Sequence, residues 1–458
     1  MKIMKVLLVY PPFCPPTVRP YSISYMKGFL ATNLDVEIKC LDLNAKYHKK
    51  MFPKFYERLE RVDGRDANQY GKLLGEFLED ARPTYSINNK KVVCGEKPDL
   101  TDEMLDLILQ EKPDIVAISL VYSSQCFHAM VLADELAKIG INCVAGGPAV
   151  NPQLAGKCRC LKNEVELYGQ IAKIAGEQSR KNTASELDCW VIPDYSDYDS
   201  EDYFAAETVI PLKSSSTCFY KQCAFCTHFR KAPYLEVDIE LIKQTIQRSG
   251  AKNFFFIDDT IPRERLLALA SALKPLKVKW WAQLRPTKDM LGTFDELAAA
   301  GLKAICWGVE SGSQRILDLM EKGTKVEDVS EVLKQSHAAG IKNTAYIMFG
   351  FPTETKEEFM ETLNFLKSNS ESLFIVSTTV FGLQKGSKAY ENPSNYGITE
   401  IIEEKRELLD ERLTYKTSSG MTKEEAKEMR QRFIKSIRKL NKAPPAFKDY
   451  KEQVLLLD

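Results

Sequence analysis

The chain has 458 residues, of which 63 are basic and 63 acidic, and 44% are hydrophobic. That length allows two or three domains with well-filled cores. The balanced charge excludes a global field for nucleic acid or an anionic membrane, and no apolar run approaches the ~20 residues of a spanning helix.

The first ten residues hold only a short apolar stretch, with no small-residue cleavage site, and Pro11 and Pro12 follow them. They read as a β-strand rather than a signal peptide. Twelve cysteines without a regular spacing point to a reducing cytoplasm, with thiols serving as ligands or core filler. Cys40, Cys143 and Cys306 lie in apolar, strand-like runs and read as buried packing residues. Strand 6–10, a loop with four prolines, helix 22–31 and strand 36–41 open an α/β pattern. Residues 47–81 are charged with helical periodicity and read as an inserted helical pair. The alternation resumes with helix 102–110, strand 115–121, helix 125–139 and strand 142–145. Such alternation predicts a parallel sheet, with ligands beyond the carboxyl ends of its strands. Those ends carry the Pro11–Pro16 loop, Ser123-Ser124-Gln125 and Gly146-Gly147-Pro148.

The polar stretch 177–188 is the best linker. A second alternation follows, with strands at 208–212, 253–257, 278–284, 304–307, 344–349 and 373–380. Helices fit between them, and Thr324…Glu327 and Thr355…Glu358 have capping-box spacing. Six units are too few for an eight-fold barrel, so the prediction is an open, partial barrel with chemistry on its C-terminal rim. From about residue 392 the charged, helix-periodic sequence predicts a small α-helical tail.

Cys218, Cys223 and Cys226 follow the first barrel strand. Three thiolates within nine residues can hold three irons of a cubane cluster and leave the fourth open for chemistry. The competing reading is a zinc knuckle completed by His228. Asp258 and Asp259 end the second strand, where a helix cap is the bland alternative. Arg285 ends the third strand, placed to clamp a carboxylate or to pair with Asp258 or Asp259. Trp307-Gly308-Val309-Glu310-Ser311-Gly312-Ser313 ends the fourth, with glycines for close backbone approach. Gly350-Phe351-Pro352-Thr353-Glu354-Thr355 ends the fifth.

This ordered series resembles the radical S-adenosylmethionine (SAM) superfamily, specifically its branch with an N-terminal cobalamin-binding domain. The likeness runs over about residues 5–390. The first cysteine gap has four residues where the superfamily commonly has three, a variant similar to the Gly-Cys-Tyr-Trp-Gly-Lys-Cys-Ala-Phe-Cys form within the branch. The resemblance implies a 4Fe–4S cluster on Cys218, Cys223 and Cys226. It implies SAM held near Phe225, the His228 backbone, Asp258, Asp259, Arg285, Glu310, Ser311 and Gly350. Thr353 stands where the family has a second glycine. It also implies cobalamin with its nucleotide loop on Ser123, Ser124, Gln125, Gly146, Gly147 and Pro148. The chain has no Asp-x-His-x-x-Gly sequence, so no such histidine ligates cobalt from below.

The resulting expectation is an α/β chain of four parts. These are a Rossmann-like cobalamin-binding domain (1–180) with a helical insertion, a linker (181–206), a partial (β/α)6 TIM-type radical SAM barrel (207–390) and a small α-helical C-terminal domain (391–458). The expected activity is cytoplasmic C-methylation of an unactivated carbon on a small-molecule or peptide substrate, held by the tail near 399–442. Electrons would come from a flavodoxin- or ferredoxin-type donor, with no nucleic acid or membrane partner. The alternatives are a non-methylating radical reaction with the same cofactors, a tRNA-modifying enzyme, and a metal-bearing redox sensor.

Overall fold

The N-terminal alternation folds as a five-stranded sheet, parallel throughout, in the order β2-β1-β3-β4-β5. Its strands are β1 (Lys5–Tyr10), β2 (Glu37–Asp42), β3 (Ile115–Ser119), β4 (Asn142–Gly146) and β5 (Arg159–Leu161). The computed structural model describes residues 3–176, 187–227, 231–406, 408–409 and 411–457. Most of the linker predicted at 177–188 lies outside them. The three-residue β5 is too short to give a sequence signal. Val6–Val9 and Ile115–Ile118 are buried on both faces, which is why these strands read as unbroken apolar runs. The predicted insertion is three helices, Leu43–Met51, Pro53–Leu59 and Ala67–Val93. Cys40 and Cys306 are buried, whereas Cys143 is only half-buried.

The second alternation is a six-stranded parallel sheet in strict chain order, with β6 (Val209–Leu212), β7 (Asn253–Phe256), β8 (Lys279–Leu284), β9 (Leu302–Glu310), β10 (Lys342–Phe349) and β11 (Ile375–Val380). β6 and β11 do not pair, so the barrel is partial, as six strand–helix units require. Helices cover its outer face, and Trp280 and Trp307 are fully buried beneath them. The Thr355 capping box forms at the helix Lys356–Ser368. The Thr324 box does not: Lys325 occupies the cap of the helix Val326–Ala338, and the Thr324 hydroxyl has no partner among the described residues.

The tail departs from the helical prediction at its start. Residues 398–404 and 412–417 pair as an antiparallel hairpin, β12 (Ile398–Glu404) and β13 (Arg412–Thr417). Ile398, Ile401, Ile402, Thr414 and Thr417 are β-branched and suit a half-buried pleat, and the hairpin packs its apolar face on Phe351 and Phe381. A helix does follow at Lys423–Arg438. The last segment then closes the amino-terminal end of the barrel. Phe447, Tyr450, Val454, Leu455 and Leu456 pack with Val209, Trp281 and Cys306, and Lys342 at the start of β10 donates to the Leu457 carbonyl (2.6 Å). Among the described residues, no helix is long and apolar enough to cross a membrane.

Candidate active site

The carboxyl ends of the barrel strands and of β1 and β3 face a common cavity of about 720 Å³. Side chains alternate across a strand, and three barrel strands, continued into their loops, send every second residue into this space. Phe255, Ile257 and Asp259 come from β7, Trp281, Gln283 and Arg285 from β8, and Cys306, Gly308 and Glu310 from β9. Opposite them stand Tyr10, Cys14, Tyr21, Val121 and Tyr122 from the N-terminal half. Lys451 and Glu452 of the last segment also line it.

All three cysteines of the loop after β6 line the cavity. The loop is pinned by backbone bonds from Ala224 N–H to Met320 O (2.8 Å) and from Ala389 N–H to Ala224 O (3.0 Å). Among the described residues no group of three or more Cys, His, Asp or Glu side chains converges as a preformed metal site. The thiols therefore share a wall without being drawn together. Burial pushes the Cys223 thiol up, while the Lys322 and Arg285 charges pull it down. His228 lies outside the described residues.

Two cations sit beside these thiols. Lys322 is buried and donates to Glu310 Oε1 at 2.9 Å, with both side chains largely shielded. Burial works against its charge, but Glu310 and Cys223 outweigh that and keep it raised. Its ammonium lies 5.8 Å from the Phe225 ring centroid. Arg285 donates to the Lys322 carbonyl (2.5 Å) and stacks 3.4 Å over Tyr220. Gly323 allows this crowding: at φ 66°, a Cβ there would lie 2.3 Å from the Tyr220 hydroxyl. Arg285 makes no ion pair among the described residues, so the predicted pairing with Asp258 or Asp259 is not what holds it.

Several predicted contacts fall elsewhere. Asp258 is buried away from the cavity and accepts from Ser214 N–H (2.8 Å), Ser214 Oγ (2.8 Å) and Ser215 Oγ (2.6 Å). It fastens the start of the cysteine loop to the end of β7, and Asp259 is the one that reaches the cavity. Ser311 is buried against the Thr362 hydroxyl (3.1 Å) and accepts from Ser313 N–H (3.1 Å). Gly350 (φ 71°) lies under the C-terminal helix, where a Cβ would meet that of Ala426 at 2.6 Å. The predicted hold of residues 399–442 on substrate is likewise displaced. The hairpin and helix cover the Gly350 loop, and among the described residues the tail reaches the cavity only at Asp449, Lys451 and Glu452. In the N-terminal half, Ser123, Ser124, Gln125, Gly146, Gly147 and Pro148 do not line the cavity, and their neighbours Val121 and Tyr122 do.

The family model of the radical SAM superfamily matches residues 212–366. That segment of the chain is a radical SAM domain. An uncharacterized methyltransferase of Pyrococcus horikoshii is 27% identical over 324 residues, which is 60% of this chain and 69% of that protein. Among solved structures, the radical SAM methyltransferase TsrM from Kitasatospora setae, with cobalamin and a 4Fe–4S cluster bound, matches at TM-score 0.62 and 12% identity. That match covers 97% of this chain and 90% of TsrM. The cobalamin-dependent radical SAM enzyme OxsB, with aqua-cobalamin bound, matches at TM-score 0.62 and 16% identity, over 99% of this chain and 72% of OxsB. These likenesses show a shared fold across both sheets.

Lys322 and Tyr220 have no sequence signature, because each acts through a partner elsewhere in the chain, Glu310 for Lys322 and Arg285 for Tyr220. Gly323 after Lys322 was the one local hint. Glu354, in the loop after β10, is also unusual. It is fully buried, with Oε2 accepting from Gly350 N–H and Oε1 unpartnered among the described residues. Burial pushes its carboxyl up to about 8. The folded protein therefore keeps Glu354 protonated where the unfolded chain has ionised it. Stability from this site is lost as pH rises from the unfolded value toward 8, by up to ~1.4 kcal/mol per pH unit, and levels off above. Glu354→Gln is expected to flatten the fall of the thermal midpoint between about pH 5 and pH 8. Parallel wild-type and variant slopes would refute this.

Proposed function

We propose that this protein is a cobalamin-dependent radical SAM enzyme that adds a methyl group to an unactivated carbon of a small-molecule or peptide substrate. One observation carries the reading: three thiols of one loop and an aromatic wall from the N-terminal half line the same cavity. The donor set suits a cubane with one open iron. Lys322 and Arg285 beside it offset the negative charge that thiolates bring.

The remaining cavity residues complement the amino-acid end of SAM. Asp259 and Glu310 offer carboxylates to an ammonium, and Arg285 offers a guanidinium to a carboxylate. Phe225 shields the cluster side from water. Tyr10, Tyr21, Val121 and Tyr122 give the opposite wall a largely apolar face suited to a flat macrocycle. Bound there, the cluster with SAM supplies a radical able to take an unactivated hydrogen, and the corrinoid supplies a methyl carrier. The chain's own part is to hold these groups face to face, with substrate between them against Phe255, Trp281 and Tyr346. Electrons arrive from a flavodoxin- or ferredoxin-type donor.

The test is anaerobic purification with reconstitution, metal and corrin analysis, and incubation with methyl-labelled SAM. Labelled product appearing with both S-adenosylhomocysteine and 5′-deoxyadenosine is the expected result. 5′-Deoxyadenosine without methyl transfer would replace methylation by a non-methylating radical reaction on the same site. A colourless protein containing zinc would refute both.

A further inference from the structure

The cavity has a second polar end, well below the cysteine loop. On β8, Trp281 stands four residues before Arg285, and on β9 Cys306 stands four before Glu310. At ~3.3 Å per residue, these side chains form a floor about 13 Å beneath the rim that carries Arg285 and Glu310. Trp281, Cys306 and Tyr346 of β10 pack in one cluster with the last segment, which shuts this end of the barrel. From that segment Lys451 reaches the cavity, its ammonium 4.2 Å from the Tyr346 ring centroid.

The floor presents donors without acceptors. Trp281 is 5% exposed, and its indole N–H is buried with no hydrogen-bond partner among the described residues. The Tyr346 hydroxyl, beside the Cys306 thiol, is buried and likewise finds no partner of proper geometry among them. The Lys451 ammonium rests on the Tyr346 ring and makes no hydrogen bond or ion pair among the described residues. The nearby carboxylates are engaged elsewhere. Glu310 pairs with Lys322 (2.9 Å) and Asp449 with Arg82 (3.1 Å). Glu452 accepts from the Thr17 hydroxyl (2.6 Å), and burial disfavours its charge. Buried polar groups are ordinarily satisfied, so three unmatched donor groups lining one cavity mark the place of an acceptor that arrives with a ligand. One ammonium and two neutral donors balance a single negative charge. A carboxylate brings that charge and enough lone pairs for all three, whereas a phosphate monoester brings about −1.5 to −2.

We propose that the substrate is a small carboxylic acid whose carboxylate docks on this floor, accepting from the Lys451 ammonium, the Tyr346 hydroxyl and the Trp281 indole N–H. Its apolar body extends toward the rim past Phe255, which stacks on Trp281 (centroids 5.3 Å apart). Lys451 and Tyr346 are then specificity-determining residues, and they select a small acid over the interior of a peptide, whose backbone carboxyl groups are neutral amides. The inference rests on the function proposed above for calling the ligand a substrate.

The deciding measurement is anaerobic equilibrium dialysis of the full-length, cluster-reconstituted protein against hydrocinnamate, its neutral isostere hydrocinnamamide, and phenyl phosphate. The wild type should bind the acid at least about tenfold more tightly than the amide. Lys451→Met should abolish that advantage and leave the amide constant within about threefold, which shows the cavity intact. Tyr346→Phe deletes a hydroxyl with no partner to lose, so it should fold normally and weaken the acid about tenfold. Equal affinity for acid and amide, no binding of either, or an acid advantage that survives Lys451→Met would overturn the floor site. Phenyl phosphate binding more than about tenfold tighter than the acid would overturn the carboxylate assignment. Each of these results leaves the proposed function standing, because SAM cleavage and methyl transfer are measured without the probes. Failure of SAM cleavage in a protein that keeps its acid preference would instead overturn that function and leave the floor as a carboxylate site.

Discussion

Cys223→Ala is expected to lose the iron–sulfur chromophore after reconstitution, and with it all 5′-deoxyadenosine formation. Two thiolates on a loop cannot hold three irons, and no other thiol of that loop stands in reserve. The thiol lines a cavity and is not a core filler, so its removal opens no void. Far-ultraviolet circular dichroism and the thermal midpoint of the unloaded protein should be unchanged. Cys306→Ala is the matched control, because Cys306 borders the same cavity from the strand β9 rather than from the cysteine loop. It should retain the full iron content. If Cys223→Ala still cleaves SAM at the wild-type rate, the assignment of the cluster to this loop is wrong.

Lys322→Met is expected to be the most destabilising single change at the site. The ammonium and the Glu310 carboxylate are both shielded, at 6% and 13% side-chain exposure, and lie 2.9 Å apart. Removing one partner strands a buried charge, which costs about 3–5 kcal/mol. Part of that loss should return in the double variant Lys322→Met with Glu310→Gln, because no unpaired charge remains. SAM affinity should fall in both, since each lacks the ordered Glu310 carboxylate. Thermal unfolding and SAM dialysis read the two effects separately. A double variant no more stable than the single one would show that the pair is held by something other than mutual neutralisation.

Much of this architecture is legible in the chain because a buried parallel strand must be an apolar run. Val6–Val9, Ile115–Ile118 and the barrel strands declare themselves that way, and the cysteines declare the loop after β6. Parity along a strand could have gone further. Phe254 and Phe256 face the outer core, so Phe255, Ile257 and Asp259 must face inward, and Asp258 must point away. Asp258 and Asp259 look equivalent in sequence unless that alternation is carried past the end of the strand. The hairpin at 398–417 was misread because its surface charges hid a β-branched pattern. Its state is decided by Phe351 and Phe381, which lie elsewhere in the chain.

Two parallel α/β units, a partial barrel and a trio of thiols on its rim can be read from the chain alone. Those features follow from local patterning: apolar periodicity, turn residues and ligand spacing. Which carboxylate enters the cavity, the place of Lys322 and Arg285 beside the thiols, the closing of the barrel by the last segment and the stacking of Phe13 on Tyr85 are visible only in the folded molecule. Each of those depends on the meeting of residues far apart in the chain. Charge pairing, close approach at glycine and ring stacking are properties of such meetings, and no local pattern encodes them.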